Sequence, residues 1–307
     1  MTMAIILAVA EIFGLFLIGA IARRLGYLSN EDIDRSSRLI IDILLPFFTF
    51  SSIIKGLDAG RLHELWVLPA VGLLQVLLFT AVGLIAQFGL SGIFRDKRRT
   101  FLHLCAVNNS TFLPVIIMQN IGGEASIAHL FLLYLGSTIG VWTLGVGLLG
   151  GTTIKEALIK GLVRPNLVAI FCAVAVTLTG GSAHIPPVVM KVLSSAGSIA
   201  IPFIMILTGA SLAHRGMLKV NWSITYMTLV RLIVLPLATI PIMRLLPIHK
   251  DVYSVAVIVA LMPTAISSVI MARRFGGDPE YAASAALFTT VGSILSVPVA
   301  VWWLFGR

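Results

Sequence analysis

Apolar residues fill runs of about twenty positions from one end of the chain to the other, and polar residues gather in short clusters between them. The first run, Met3–Ala22, is interrupted only by Glu11 and closes on Arg23 and Arg24. Further runs occupy 36–55, 66–90, 101–120, 126–149, 165–180, 187–212, 222–245, 252–272 and 282–305. A hydrocarbon core about 30 Å thick is crossed by about twenty residues of helix. The pattern therefore predicts an all-α membrane protein with ten transmembrane helices. Met3–Ala22 has the length of a signal peptide, but Glu11 breaks it and no small-residue cleavage site follows, so it is read as the first span.

Two runs break the rule of apolar regularity. "NNSTFLPVII" (Asn108–Ile117) opens with two amides and two hydroxyls and carries Pro114; "LMPTAISS" (Leu261–Ser268) carries Pro263, Thr264, Ser267 and Ser268. Proline removes a backbone donor and clashes with the carbonyl four residues earlier. Backbone groups freed in hydrocarbon each cost several kcal/mol unless protein or water satisfies them. Both breaks thus predict a protein-lined or aqueous cavity. The half-helix after each break offers free amides and a positive dipole end, which suit a carboxylate.

The breaks also belong to a repeat. "NIGGEASIA" (Asn120–Ala128) resembles "RFGGDPEYA" (Arg274–Ala282) at an offset of 154 residues, which places Asn109 against Pro263, Ser110 against Thr264 and Pro114 against Ser268. "LLPFF" (Leu44–Phe48) and "AIPFI" (Ala200–Ile204) match at an offset of 156. Pro46 and Pro202 are therefore expected to bend corresponding helices. Five spans fall in each half, residues 1–150 and 151–307, and an odd number makes the second half enter from the opposite side. Inverted repeats with matching interrupted helices point to secondary transport, with the substrate near the midplane.

Composition agrees. Of 307 residues 58% are hydrophobic and 11% charged, with a mean hydropathy of +1.01, whereas soluble domains carry about 25% charged residues. The net charge of +9 is explained by loops, since no basic run exceeds "RDKRR" (Arg95–Arg99), and no nucleic-acid partner is expected. Odd-numbered connections hold fifteen Lys and Arg, and even-numbered ones with the C-terminus hold six. The positive-inside rule then makes the odd connections cytoplasmic and puts both termini outside. A multi-pass place in the cell (inner) membrane follows.

Glu11, Asp42 and Arg231 lie within spans, where a charge at the helix centre costs about 2.5–3.5 kcal/mol. Asp42 could carry a coupling proton with its pKa raised by burial, or pair with Arg38 near the cytoplasmic end. Glu11 is a second proton site, or a hydrogen-bonded group between helices. Arg231 draws an organic anion into the cavity, or snorkels toward an interface. His103 and Lys191 are expected at interfaces, and Cys105 and Cys172 as core packing. The six histidines show no metal-ligand spacing, and neither a phosphate-binding glycine loop nor a nucleophile elbow occurs. Neither an enzyme nor a cofactor or metal site is expected.

Four stretches together resemble the auxin efflux carrier family of membrane transporters, which includes plant auxin carriers and bacterial malonate or malate carriers. They are "GAIARRLGYLSNEDIDRSSRLIIDILLPFFTFSSI" (Gly19–Ile53), "NNSTFLP" with the later "RPN" (Arg164–Asn166), and "LMPTAISSVIMARRFGGD" (Leu261–Asp278). The resemblance implies two inverted five-helix repeats whose fourth and ninth helices are unwound and cross. It implies a scaffold of helices one, two, six and seven and a mobile transport part made of the rest. It also implies a small organic anion, a mono- or dicarboxylate, bound at the crossover and moved by alternating access of elevator type. Asn109 matches the family's carboxylate-contacting asparagine. Asn108, Ser110, Pro114, Pro263, Thr264 and Ser267 are the neighbouring candidates. The sequence departs from the commoner pattern in having Ile116 seven positions after Asn109, with Pro114 only five positions on and no glycine just before. The short loops suit a bacterial-type member. Lipid is the surrounding partner, and proton coupling and a homodimer stay open. Two alternatives stand beside this reading: a sodium-coupled carrier like the bile-acid symporters, and a membrane sensor that transports nothing.

Overall fold

A computed structural model describes residues 2–90, 97–150, 156, 159, 161, 163–213 and 221–305. Arg95, Lys155, Lys160, Arg215, Lys219 and Arg307, which enter the charge count, lie outside the described residues. No strand forms among those described; one isolated antiparallel bridge is the exception to an all-helical chain.

The helices are α1 (Thr2–Arg24), α2 (Asn30–Gly56), α3 (Ala59–Gly89), α4 (Arg98–Ala106), α5 (Phe112–Gly145) and α6 (Pro165–Leu178). They continue with α7 (Pro187–Leu212), α8 (Trp222–Arg244), α9 (Lys250–Ala260), α10 (Ser267–Phe275) and α11 (Pro279–Phe305). Among the described residues, α2, α3, α5, α7, α8 and α11 are long and apolar enough to cross a membrane.

Local chemistry fixes the ends. Ser29 and Asp32 form a reciprocal capping box at the start of α2, with the Asp32 N–H donating to Ser29 Oγ at 3.1 Å and the Ser29 N–H to Asp32 Oδ2 at 2.9 Å. Asn221 caps α8 by accepting from the Ile224 N–H at 3.0 Å. Prolines open α6 and α7, where a missing N–H costs nothing.

Prolines inside helices leave a different mark. The π turns Ile40–Leu44 and Val230–Val234 each end two residues before a proline, Pro46 or Pro236. A widened turn moves the carbonyl that the ring would otherwise strike. In α7 the helix is interrupted at Ile199, three residues before Pro202. The connection expected between the fourth and fifth runs is a kink rather than a loop. Gly123, at φ 60 and ψ −147, turns the chain within α5 in a region open to glycine alone. In the matching stretch of the second half Gly276, the counterpart of Gly122, is at φ 85 and ends α10 before α11.

α1 packs along α7, α2 on α6, α5 and the first half of α7, α3 on α5, and α8 on α9 and α11. α3 and α5 meet backbone to backbone: a Cβ on Gly72 would strike the Leu133 carbonyl, and one on Gly136 the Pro69 carbonyl. Small residues allow such approach where lipid gives no hydrophobic drive between helices. Leu17, Ile85, Ile270, Leu295 and Val299 are exposed on the outside, as a lipid-facing surface requires, and Trp66, Trp222, Trp302 and Trp303 are exposed near helix ends.

Candidate functional site

The two unusual stretches come together. α4 stops at Ala106 and α5 starts at Phe112; α9 stops at Ala260 and α10 starts at Ser267. Residues between these ends run antiparallel across each other. Asn108 and Thr264 form the isolated bridge, the Asn109 N–H donates to the Pro263 carbonyl at 2.9 Å, and the Ala265 N–H to the Val107 carbonyl at 3.4 Å. Each interruption thus satisfies part of the other's freed backbone, the condition for breaking a helix away from water.

Side chains satisfy more of it. Asn108 Nδ2 donates to the Val259 carbonyl at 2.6 Å, near the C-terminal end of α9. Asn109 Oδ1 accepts from the Phe112 N–H at 3.1 Å and the Leu113 N–H at 3.5 Å, capping the start of α5. Its Nδ2 donates to no atom of the described residues. Thr264 shares a 2.9 Å hydroxyl contact with Thr289 of α11, and its N–H donates to Thr289 Oγ1 at 3.3 Å. Asn108, Asn109, Ser110, Thr111 and Thr264 are each 8% exposed or less.

At α5 these contacts correct the expectation of free amides. The first two N–H groups of α5 are taken by Asn109, and Pro114, third in the helix, has none. Pro114 therefore sits in the first turn of α5 and not in the extended stretch, whereas Pro263 sits within it. In α10 the Ser268 N–H donates to the Ala265 carbonyl at 3.0 Å. A break closed off by protein has to meet its own hydrogen bonds first. Ser267 is exposed and does not face the crossing.

The three charges expected within spans divide. Glu11 and Asp42 are exposed on the outside of the protein, so neither is enclosed by it. No ion pair joins Asp42 to Arg38 among the described residues; Arg38 Nε instead donates to the Asp34 carbonyl at 3.3 Å. Arg231 is fully buried. Its Nε donates to the Met262 carbonyl and its Nη1 to the Cys105 carbonyl, both at 2.9 Å, and its guanidinium stacks 4.6 Å from the Phe79 ring centroid. It spans the crossing rather than snorkelling.

His103, expected at an interface, is fully buried with Nδ1 2.7 Å from the Gly145 carbonyl, and Cys172, expected in the core, is exposed. Thr289 and Gln75 belong to the site region although neither stood out in the sequence. Gln75 is buried in α3 and donates to the Ala256 carbonyl of α9 at 2.6 Å. Gln75 lies between Leu74 and Val76 and Thr289 beside Thr290 in largely apolar runs, and the only signal of each is that burial there demands a partner.

A narrow crevice reaches the crossing beside Met262, lined by Val9 and Ile12 of α1, Leu113 and Ile117 of α5, and Ser293 and Val297 of α11. Its enclosed space is about that of one water molecule.

A family model described as membrane transport protein matches residues 4–151 and 152–301. The chain is 26% identical over 295 residues to an uncharacterized transporter of Methanothermobacter thermautotrophicus, covering 95% of each chain. It is 25% identical over 298 residues to an uncharacterized transporter of Methanocaldococcus jannaschii, covering 94% of this chain and 96% of the relative.

Proposed function

The chain belongs to the auxin efflux carrier family of membrane transport proteins, and from that premise we propose that it is a secondary carrier of a small organic anion, a mono- or dicarboxylate. Ten spans form two inverted halves, and the anion binds where the interrupted helices cross. Alternating access follows when the part carrying α3–α5 and α8–α11 shifts against the scaffold of α1, α2, α6 and α7.

One observation carries the reading. The offset of 154 that relates the halves maps Asn109 onto Pro263, and these residues are hydrogen-bonded to each other. The same offset maps the Asn108–Thr264 bridge onto the pair Met262–Ser110, on the other side of Asn109. It also maps the end of α4, Ala106, onto the end of α9, Ala260. A strand pair that exchanges with itself in this way is what a two-fold axis in the membrane plane would produce, which supports the inverted-repeat reading.

At that axis the groups left for a carboxylate are the Asn109 Nδ2 donor and the Ser110 hydroxyl, beside the positive end of α5. Asn108 and Thr264 are occupied in holding the crossing together. Opening the crevice between α1 and the crossing admits the anion, and Asn109 swings its cap from the α5 amides as substrate takes them.

The test is uptake by proteoliposomes against a panel of labelled mono- and dicarboxylates. Saturable flux of at least one is expected, unaltered when choline replaces sodium. Sodium dependence would favour the bile-acid symporter plan instead. No saturable flux of any acid by folded protein would favour the sensor and overturn the carrier.

A further inference from the structure

Arg231 reaches the C-terminal ends of both interrupted helices at once. Cys105 lies in the last turn of α4, and Met262 two residues beyond the end of α9. The last four carbonyls of a helix have no intrahelical partner, and its dipole leaves about half a negative charge there. Two such ends converge on one buried guanidinium, through the Cys105 and Met262 carbonyls at 2.9 Å each. No ion pair involving Arg231 occurs among the described residues, so carbonyl oxygen and helix ends balance its charge.

Half-helix C-termini and unwound carbonyls are what coordinate a coupling metal cation in carriers with interrupted helices. We infer that Arg231 is a built-in counter-cation: its guanidinium occupies the place of a monovalent metal ion between α4 and α9, and the protein therefore needs no sodium there. The location also rules between its roles. The crevice leading to the crossing is lined from α1, α5 and α11 with Met262 and does not include Arg231. Its guanidinium donates instead to the Cys105 and Met262 carbonyls. Anion and cation thus take opposite helix ends, the anion at the N-termini and Arg231 at the C-termini. An arginine suits the second task because it stays charged and presents several donors in one plane. Its Nη2 is buried and has no hydrogen-bond partner among the described residues, so one donor of the guanidinium is unused.

Truncation should open a cation site. Thermal unfolding of the purified full-length protein would be followed in choline chloride, with sodium chloride or guanidinium chloride added in the low millimolar range at constant ionic strength. The wild type should be indifferent to both. Arg231→Ala should melt roughly 5–10 °C lower in choline and regain at least half of that loss, saturably, on adding sodium or guanidinium. Loss of a merely structural side chain gives the lower melting point without the recovery. A saturable rise with sodium in the wild type, or an alanine variant restored by neither cation, overturns the inference. Should Arg231→Ala not be recovered folded, Arg231→Lys carries the same test: it keeps a cation and should stay indifferent to sodium, and a sodium-dependent melting point would refute the idea. The inference rests on the carrier reading only where flux is concerned. Failure of all transport would strike that reading, while the melting experiment decides Arg231 alone.

Discussion

At Asn109 the two ends of one amide face different tasks. Oδ1 caps α5 through the Phe112 and Leu113 N–H groups, and Nδ2, unpaired among the described residues, is the donor proposed to meet the carboxylate. Two substitutions separate them. Asn109→Ala loses both, so a cost of about 0.5–2 kcal/mol for the missing cap should lower the melting temperature by a few degrees. Any stabilisation by a bound carboxylate should vanish with it. Asn109→Asp keeps an acceptor and puts a negative charge at a helix N-terminus, where it is favourable. It should melt like the wild type, yet bind no carboxylate, because the donor is gone and like charges repel. A thermal-shift screen with and without organic acids reads both, since a ligand specific for the folded state raises its stability by mass action. An Asn109→Asp protein that still shows the shift would remove Asn109 from the site. Thr289 gives a purely structural comparison. Thr289→Val strips partners from the Thr264 hydroxyl and N–H, and a buried donor left unpaired costs about 1–3 kcal/mol. The melting point should fall without changing which acid binds. Asn109 and Arg231 were legible because a polar group in an apolar run needs a reason. Thr289 was not, since the threonine pair in "LFTTVGSI" differs in nothing from those that bond only their own helix.

Run length and proline carried most of what the sequence says about the helices. The runs expected at 187–212 and 222–245 correspond to Pro187–Leu212 and Trp222–Arg244, and those at 101–120 and 252–272 are the interrupted ones. What the runs could not tell was how the breaks are closed. Pro114 marked the first, but the extended stretch lies before it, because proline is well tolerated in a first helical turn. Nor did hydropathy separate exposed Glu11 and Asp42 from buried Arg231. Membrane helices are apolar on their lipid and protein faces alike, so the period that reports orientation in a soluble helix is absent. The contact of α3 with α5 tests the packing that resulted. Gly136→Val would drive a side chain into the Pro69 carbonyl, and overpacking costs typically about 1–3 kcal/mol. Because the obstacle is backbone, the outcome should lie at or above that range, seen as a lower melting point and less folded protein. Gly14→Ala, exposed in α1 with nothing within 4 Å of the added atom, should melt like the wild type. Equal effects at the two positions would mean that α3 and α5 do not lie this close.

The whole molecule can be read as a balance of charge about one axis. Two helix N-termini and two C-termini converge on the crossing. The C-terminal ends already hold a cation, Arg231, and so only the N-terminal ends call for a charged guest. That balance is indifferent to which side of the membrane each terminus faces, and sidedness needs its own argument. With fifteen Lys and Arg in odd connections against six in even ones and the C-terminus, the positive-inside rule predicts a cytoplasmic first connection, around Tyr27. If each half holds five spans, the turn after α8, around Leu245, is predicted outside. Both residues are exposed, at 77% and 84%, and suit labelling. With Cys105 and Cys172 replaced, Tyr27→Cys should react with a membrane-impermeant maleimide only in inverted vesicles, and Leu245→Cys only in intact cells. Labelling of both from the same side would break the inverted relation of the halves. The two-fold reading of the Asn109–Pro263 contact would go with it, because a symmetry axis in the membrane plane must send the cytoplasmic end of one half to the outer end of the other.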